Sequence, residues 1–563
     1  MKEKITGSHA LMQSLIAEGV DTIFGYPGGQ IMPTFDALFD YAKEINHILV
    51  RHEQGAVHAA EGYARVSGRV GVALVTSGPG ATNAITGIAD AMLDSTPLVV
   101  IAGQVPTTSL GTDAFQETDL VGITQPLTKW SYQIRTADEV AWAIARAFFI
   151  AQTGRPGPVV LDFTKDAQIN MVDFHHEKCR FVRSYQPVPD TDPDTVWQAA
   201  AIINAAQKPL ALVGQGVTLG KAEKEVMEFL EKAQIPAAET LLGLSALPSD
   251  YPLNMGMLGM HGNLAPNLKT NECDVLIAIG MRFNERVTGD LTKYARQAKI
   301  IHFDIDISEL GKNVKPDVGV AGDVKQTIPA VTALLNTARH DEWIAGFKPL
   351  AEKEYETVIK NETMPQSGEI RMGEVVQLIS DATRHDAVLV TDVGQNQMIS
   401  ARYFKFKHPN SMVTSGGLGT MGFGLPAAIG AKVGAPERTV CLFMGDGGFQ
   451  MTVEELGTVM QSQIGIKMIV LNNSRLGMVR QWQQLFWKER YSFTTMMNPD
   501  FVLLGKAYGI DSRRVQTREE LPGAIAEMLK DDRPYLLIVD VETEGMVYPM
   551  TPGGTAVDNV LLG

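Results

Sequence analysis

The sequence predicts an α/β protein made of three doubly wound parallel-sheet domains. Three observations carry this expectation. Short continuous apolar runs, the mark of strands buried on both faces, alternate with helical stripes along the chain. Glycine-rich turns follow many of those runs, as happens where a backbone leaves a strand beside a ligand. The 563 residues also exceed what one core holds, so two to four domains are expected and three is the natural number.

In the first region, residues 1–167, Leu11, Met12, Leu15 and Ile16 form a helical stripe closed by Gly19. Apolar runs at 22–24, 47–50, 71–76, 98–102 and 158–163 read as strands. Residues 168–192 carry Pro187 and Pro189, cannot continue a helix or central strand, and read as a linker. The second region, 193–345, offers strands at 210–213, 275–279 and 300–304. A polar stretch with Pro365 and Gly368 marks a second linker, 346–371. The third region, 372–541, opens with a helix at 373–382 and a strand at 387–391. It passes through glycine-dense residues 415–424 and ends on a strand at 535–541. The tail, 542–563, lacks periodicity but carries Val547, Tyr548 and Met550, and is expected to fold over the active site. The first and third regions look like two versions of one plan.

Composition is that of an ordinary globular protein, with 45% apolar and 20% charged residues, which argues against a disordered or fibrous chain. A net charge of −15 without a basic stripe argues against nucleic acid or an anionic membrane as partner. Cys179, Cys273 and Cys441 form neither a zinc spacing nor a disulfide framework, so a cytoplasmic setting is expected. No apolar run reaches transmembrane length, and the N-terminus shows no signal or transit pattern.

The most informative stretch is the run at 439–444, which ends in Gly445-Asp446-Gly447-Gly448. That turn has no side chains to keep a large anion away. A second run, at 466–471, ends in Asn472-Asn473. If the two strands are neighbours in one parallel sheet, Asp446 and Asn473 meet at its carboxyl edge, where open α/β sheets bind ligands. One carboxylate and one amide oxygen suit Mg²⁺, which keeps water and phosphate oxygens in its other positions. The pair reads as a metal–diphosphate site, against the plainer reading of a tight turn. Glu53, in Arg51-His52-Glu53-Gln54, opens a glycine- and alanine-rich helix after the strand at 47–50. It is either an acid/base at a ligand edge or a carboxylate that merely favours the helix dipole.

Further motifs add Gly25-Tyr26-Pro27-Gly28-Gly29, Ser77-Gly78-Pro79-Gly80-Ala81-Thr82-Asn83, Gly111-Thr112-Asp113-Ala114-Phe115-Gln116-Glu117, Gly154-Arg155-Pro156-Gly157-Pro158 and Leu476-Gly477-Met478-Val479-Arg480-Gln481-Trp482. With these, nearly the whole chain resembles the thiamin-diphosphate enzymes. Within them it is most similar to the catalytic large subunits of acetohydroxyacid synthase (acetolactate synthase), of the anabolic, FAD-containing type.

The resemblance implies a pyrimidine-binding domain, a central FAD domain and a diphosphate-binding domain. It also implies a homodimer or tetramer with active sites between chains, and leaves room for a small regulatory subunit. Glu53 would hydrogen-bond the aminopyrimidine ring of thiamin diphosphate and promote loss of the thiazolium proton. Met421 would hold the cofactor bent; the plainer reading is core filling. Asp446, Asn473 and the backbone carbonyl of Arg475 would hold Mg²⁺. Gln395 and Asn396 would contact the diphosphate, although the family more often has His where Asn396 stands. Gly28, Gly29, Pro79, Asn83, Gln116, Gly419, Gly445, Gly447, Gly448 and Met478 complete the contacts implied for this cofactor.

Gly29, Gln116 and Lys165 would line the space where pyruvate reacts. Arg286 would take the carboxylate of a second 2-oxo acid, and Trp482 would favour the ethyl group of 2-oxobutanoate. The plainer readings are an ion pair of Arg286 with Glu285 and a buried indole. For FAD, Gly214-Gln215-Gly216 gives close backbone approach at a sheet edge. Arg155, Thr240, Leu241, Gly259, Met260, His261, Gly280, Arg282, Asp304, Ile305, Asp323 and Val324 stand where the family contacts flavin. The flavin would be structural, because the net reaction is not redox. The implied activity joins the two-carbon unit of pyruvate to pyruvate or 2-oxobutanoate, the first common step of valine, leucine and isoleucine biosynthesis. The alternative is a flavin-dependent pyruvate oxidase or another thiamin-diphosphate carboligase.

Overall fold

The computed structural model describes residues 4–563; residues 1–3, the start of the expected first domain, lie outside the described residues. Strand β1 (Ile5–Thr6) is followed by β2 (Thr22–Gly25), β3 (Asn46–Leu49), β4 (Gly71–Val75), β5 (Leu98–Gln104), β6 (Trp130–Ile134) and β7 (Pro158–Thr164). The short β8 (Met171–Val172) pairs antiparallel with β1, so the stretch expected as the first linker begins by closing the first domain. Next come β9 (Pro209–Val213), β10 (Ala237–Glu239), β11 (Asn254–Met257), β12 (Val275–Ile279), β13 (Lys299–Asp304) and β14 (Val318–Ala321). The last set is β15 (Val388–Thr391), β16 (Met412–Val413), β17 (Val440–Gly445), β18 (Ile466–Asn472), β19 (Asp511–Val515) and β20 (Tyr535–Asp540).

These strands form three six-stranded sheets, in which every pairing is parallel. The first is ordered β3-β2-β4-β5-β7-β6 and the third β16-β15-β17-β18-β20-β19. Numbered within each domain, the two orders are the same, as the two-versions reading expected. The central sheet is ordered β11-β10-β9-β12-β13-β14, the arrangement in which the chain works outward from its first strand and then restarts on the other side.

The central strands were legible because they are buried from end to end, as in β5 and β7. Besides the short pair β1 and β8, the strands that sequence reading missed are β6, β10, β11, β14, β16 and β19. All but β10 lie at sheet edges, where one flank meets solvent. Their sequences are mixed or short, as in the Trp-Ser-Tyr-Gln-Ile of β6 and the Asp-Ser-Arg-Arg-Val of β19.

The second expected linker is largely helical: Lys348–Glu354, a π-turn at Tyr355–Ile359, and Lys360–Thr363. Two of its carboxylates, Glu354 and Glu362, are buried against partners. Glu354 accepts from Asn263 Nδ2 at 3.0 Å and Leu264 N at 2.7 Å and pairs with Arg402. A polar composition therefore marks a bracket between the central and third domains.

The first and third domains share one hydrophobic cluster, with Val57, Ala59 and Ala60 against Leu425, Ala428 and Ile429. Helix Glu53–Ser67 crosses helix Gly424–Gly434 with the backbones nearly touching. A Cβ on Gly62 would lie 2.0 Å from Ala427 O, and one on Gly430 would lie 1.7 Å from Ala59 O. The C-terminal tail is sewn to the central domain by Thr551 N to Met260 O (2.7 Å) and Asp290 N to Thr555 O (2.8 Å). Among the described residues no helix is long and apolar enough to cross a membrane.

Candidate active site at three sheet switch points

In an open parallel sheet the crevice for ligands forms where neighbouring strands send their connections to opposite sides. In the third sheet that point lies between β15 and β17, which pair from Val388↔Val440 to Thr391↔Phe443. Gly394-Gln395-Asn396 follows β15, and Gly445-Asp446 closes β17. Gly394 has φ 132°, a conformation open to glycine, and helix Gln395–Tyr403 begins there without a side-chain cap. Its first N–H groups are thus free for an anion.

Asp446 is fully buried. Its Oδ2 accepts from Asn498 Nδ2 at 2.5 Å, whereas Oδ1 is buried without a partner. Burial raises its pKa, partly offset by the Asn498 bond. A buried carboxylate with one idle oxygen fits a cation, and the adjacent strand β18 ends at Asn472, with Asn473 next in the chain. Asn473 Oδ1 accepts from Arg475 N (3.1 Å), and Asn473 Nδ2 donates to Gln395 Oε1 (3.3 Å). The donor set fits Mg²⁺ with its remaining positions left to water and phosphate.

The glycines of this turn serve different ends. A Cβ on Gly447 would approach Leu476 and come 3.6 Å from Met421 Cε, whereas one on Gly448 would strike Asp392 Oδ1 at 2.1 Å. The Asn396 amide nitrogen is committed elsewhere. It donates to Asp392 O (2.9 Å) and Phe443 O (3.1 Å), tying the ends of β15 and β17 together. Both N–H bonds of that amide are therefore engaged within the chain in this conformation.

In the central sheet the switch point lies between β9 and β12. The glycine turns after these strands press on one another: a Cβ on Gly214 would lie 2.2 Å from Gly280 O, and one on Gly216 would lie 2.6 Å from Gly280 Cα. In front of them opens a cavity of about 860 Å³, at the upper end of the range for ligand sites. Its wall includes every residue expected to contact flavin except Gly214, together with Gly419, Met421, Met478, Arg286 and Trp482. Arg155 is paired to Asp306 (3.2 Å) and Glu309 (2.7 Å). Arg282 makes no ion pair among the described residues, so a positive charge is left unmatched, which suits a dinucleotide's diphosphate. His261 Nδ1 is buried without a partner, and burial lowers that imidazole's pKa to about 4, so it is neutral. These residues fit FAD.

On the same wall the Arg286 guanidinium sits 5.3 Å from the Trp482 ring centre. Arg286 also pairs with Glu285 at 3.6 Å and is half exposed, and Trp482 Nε1 is buried without a partner. The plain ion pair and the site placement coexist.

In the first sheet the switch point lies between β2 and β4. Gly28 and Gly29 follow β2, Glu53 follows β3, Pro79 and Asn83 follow β4, Gln116 follows β5, and Lys165 follows β7. Glu53 Oε2 accepts from Asn83 Nδ2 at 3.0 Å, and Lys165 Nζ reaches Gly29 O at 3.4 Å. A Cβ on Gly78 (φ 55°) would lie 2.9 Å from Gln116 O. None of these first-domain residues lines the large cavity.

Sequence reading missed the supports. Asp392 accepts from Gly422 N (3.0 Å) and Gly424 N (2.9 Å) and so fixes the loop bearing Met421. The same loop is held by Asp94, which accepts from Gly416 N (2.8 Å) and Gly417 N (2.6 Å). Glu455 accepts from Arg51 N and His52 N, both at 3.0 Å, and sets the turn before Glu53. Asp392 was within reach of sequence reading, because it follows its strand as Asp446 does.

Three family models of thiamine pyrophosphate enzymes match the chain: the N-terminal TPP binding domain over residues 5–123, the central domain over 196–331 and the C-terminal TPP binding domain over 392–539. The chain is 44% identical to the acetolactate synthase isozyme 2 large subunit of Escherichia coli, over 99% of each chain. It is 42% identical to the acetolactate synthase large subunit of Lactococcus lactis, over 100% of this chain and 97% of that one. Against the acetolactate synthase of Mycobacterium bovis it is 43% identical, over 99% and 91%. Three TPP-enzyme domains in order and end-to-end identity of this degree assign the chain to the acetolactate synthase large-subunit family of thiamine pyrophosphate enzymes.

Proposed function

We propose that the chain decarboxylates pyruvate and joins the two-carbon unit to a second 2-oxo acid, giving 2-acetolactate from pyruvate or 2-aceto-2-hydroxybutanoate from 2-oxobutanoate. The observation that carries this reading is Arg286 beside Trp482 on the wall that Met421 also reaches. A cation for a carboxylate stands next to an apolar face for a short alkyl chain. An enzyme that handed its two-carbon unit to water or dioxygen has no need of such a pair.

When bound, thiamin diphosphate supplies the electron sink for decarboxylation. The chain's own part is positioning. Asp446, Asn473 and the Arg475 carbonyl hold Mg²⁺, and the uncapped helix start at Gln395 takes phosphate oxygens. Met421, on the cavity wall, would support the cofactor. Asn83 holds one oxygen of Glu53, whose other oxygen would be left to face the aminopyrimidine ring and share a proton with it. Gly29, Gln116 and Lys165 orient pyruvate. The residues of the central crevice would hold FAD as a structural group.

The Glu53 set lies outside the lining of the chain's own cavity, which supports a site completed by a second copy in a homodimer or tetramer. Phe115, Phe493 and Met497 are 83%, 98% and 97% exposed, apolar surface that suits such a contact. Three free cysteines suit the reducing cytoplasm.

The test is to incubate the purified protein with pyruvate, Mg²⁺, thiamin diphosphate and FAD, with and without 2-oxobutanoate, and to identify the products. Acetolactate alone, joined by acetohydroxybutanoate when 2-oxobutanoate is added, is expected. Acetate or acetyl phosphate with hydrogen peroxide would overturn the reading in favour of an oxidase.

A further inference from the structure

Asn498 stands 52 residues from Asp446 in sequence and belongs to no strand or helix, yet it holds the idle-oxygen carboxylate in place. Its Nδ2 donates to Asp446 Oδ2 (2.5 Å) and to Asn472 Oδ1 (2.8 Å), which uses both N–H bonds. Its Oδ1 accepts from Gln450 Nε2 (3.0 Å), which also reaches Asp446 O (3.1 Å). The amide has one satisfactory orientation, because flipping it would turn its oxygen toward a carboxylate and a carbonyl. Behind it, Asn472 Nδ2 donates to Asp540 Oδ1 (2.8 Å), and Arg514 Nε and Gln516 Nε2 secure the other oxygen of Asp540, each at 2.9 Å.

The backbone around Asn498 is equally fixed. Asp500 caps helix Phe501–Ala507 through Val502 N and Leu503 N. On the other side, Leu476 N bonds Thr494 O (2.9 Å) and Met496 N bonds Ser474 O (3.0 Å), so residues 494–496 run along the stretch that contains Arg475. One short segment thus braces both the carboxylate and the loop expected to carry the metal-facing carbonyl.

We propose that Asn498 is a positioning residue for the divalent cation. It pins Asp446 so that Oδ1 stays open to the metal, and as a neutral donor it leaves the full negative charge for that metal. A lysine or arginine there would compete with the cation. The inference rests on the metal reading of Asp446 given above.

The test titrates Mg²⁺ at fixed thiamin diphosphate and follows cofactor binding by calorimetry, with Mn²⁺ binding followed by electron paramagnetic resonance. Wild type, Asn498→Ala and Asp446→Ala are compared, with Asn498→Ser as the milder variant should alanine impair folding. Partners that orient a metal ligand contribute about 10–100-fold in metal affinity. Asn498→Ala is expected to raise the half-saturating Mg²⁺ by about tenfold, with cofactor affinity and the KM for pyruvate restored at saturating Mg²⁺. An unchanged half-saturation, or a loss that Mg²⁺ does not restore, overturns the role of Asn498 alone. Cofactor binding independent of metal in wild type, or Mn²⁺ binding unaltered in Asp446→Ala, overturns the metal reading and this inference together.

Discussion

The guanidinium of Arg286, from the central domain, lies over the indole of Trp482, from the third domain, at 5.3 Å. The contact crosses a domain boundary and places both groups on one cavity wall. Trp482→Leu is expected to leave pyruvate self-condensation active and to erode any preference for 2-oxobutanoate. One methylene in a hydrophobic pocket is worth about 1–3 kcal/mol, so the product ratio in a two-substrate competition should fall about tenfold or more. An unchanged ratio would remove Trp482 from the specificity argument.

Glu53→Gln keeps the shape of the side chain and its neighbour Asn83 but cannot share a proton. Turnover should drop about 10²–10⁴-fold, the usual weight of a general acid or base, with thiamin diphosphate still bound. The readouts are kcat and cofactor content after gel filtration; near-normal kcat would return Glu53 to a helix-start role.

Asp446→Ala should weaken thiamin diphosphate binding, with partial recovery at high Mg²⁺. Without cofactor the same variant should melt no lower than wild type, because the wild-type carboxylate is buried with one oxygen idle and such burial is costly. Calorimetric titration and a thermal melt of the cofactor-free protein measure the two effects. A large loss of stability with unchanged cofactor affinity would mark Asp446 as a structural residue.

Glu455→Ala should destabilise the junction between the first and third domains by about 2–4 kcal/mol, the cost of leaving the Arg51 and His52 N–H groups without an acceptor. Glu455→Gln keeps one acceptor oxygen and should cost less than half as much. Urea melts distinguish the two, and equal effects would contradict the assigned role.

Buried carboxylates set a pH dependence of stability. Burial raises Glu239 and Glu362 from 4.5 to about 7, and Asp162 from 3.8 to about 6. Each therefore holds a proton in the folded protein at pH values where the unfolded chain has released it. Their stabilisation is fully present below the unfolded values and is lost as pH rises through the folded ones, between about pH 4 and 7. For Glu239 alone the loss amounts to about 3 kcal/mol, at 1.36 kcal/mol per pKa unit. Glu239→Gln should flatten the decline of unfolding free energy measured across that window; an unaltered slope would show that Glu239 is ionised in the folded state.

The strands β5, β7, β12, β17 and β18, and the pairing of β17 with β18 that brings the Asp446 turn beside Asn472, were legible because each is encoded locally. Each strand is a largely apolar run, and after β12 and β17 the run meets a turn whose glycines have to be bare. The edge strands β6, β14 and β19 were not, because half-solvated strands carry mixed sequences without a continuous run. Asp94, Asn498 and Glu455 were not legible either. Their roles depend on partners supplied by folding, such as Gly416 for Asp94 and Arg51 for Glu455, and nothing in the local residues announces a partner hundreds of positions away. Asn396 shows another limit: the residue type does not reveal that its amide nitrogen is claimed by two carbonyls, of Asp392 and Phe443.

Glu455 lies just beyond helix Asp446–Met451, so one short stretch of chain has the expected metal carboxylate at one end and the clamp on the Glu53 turn at the other. In an assembly of two copies, those ends would serve different reaction centres. Each chain would then be a strut between centres rather than the owner of one.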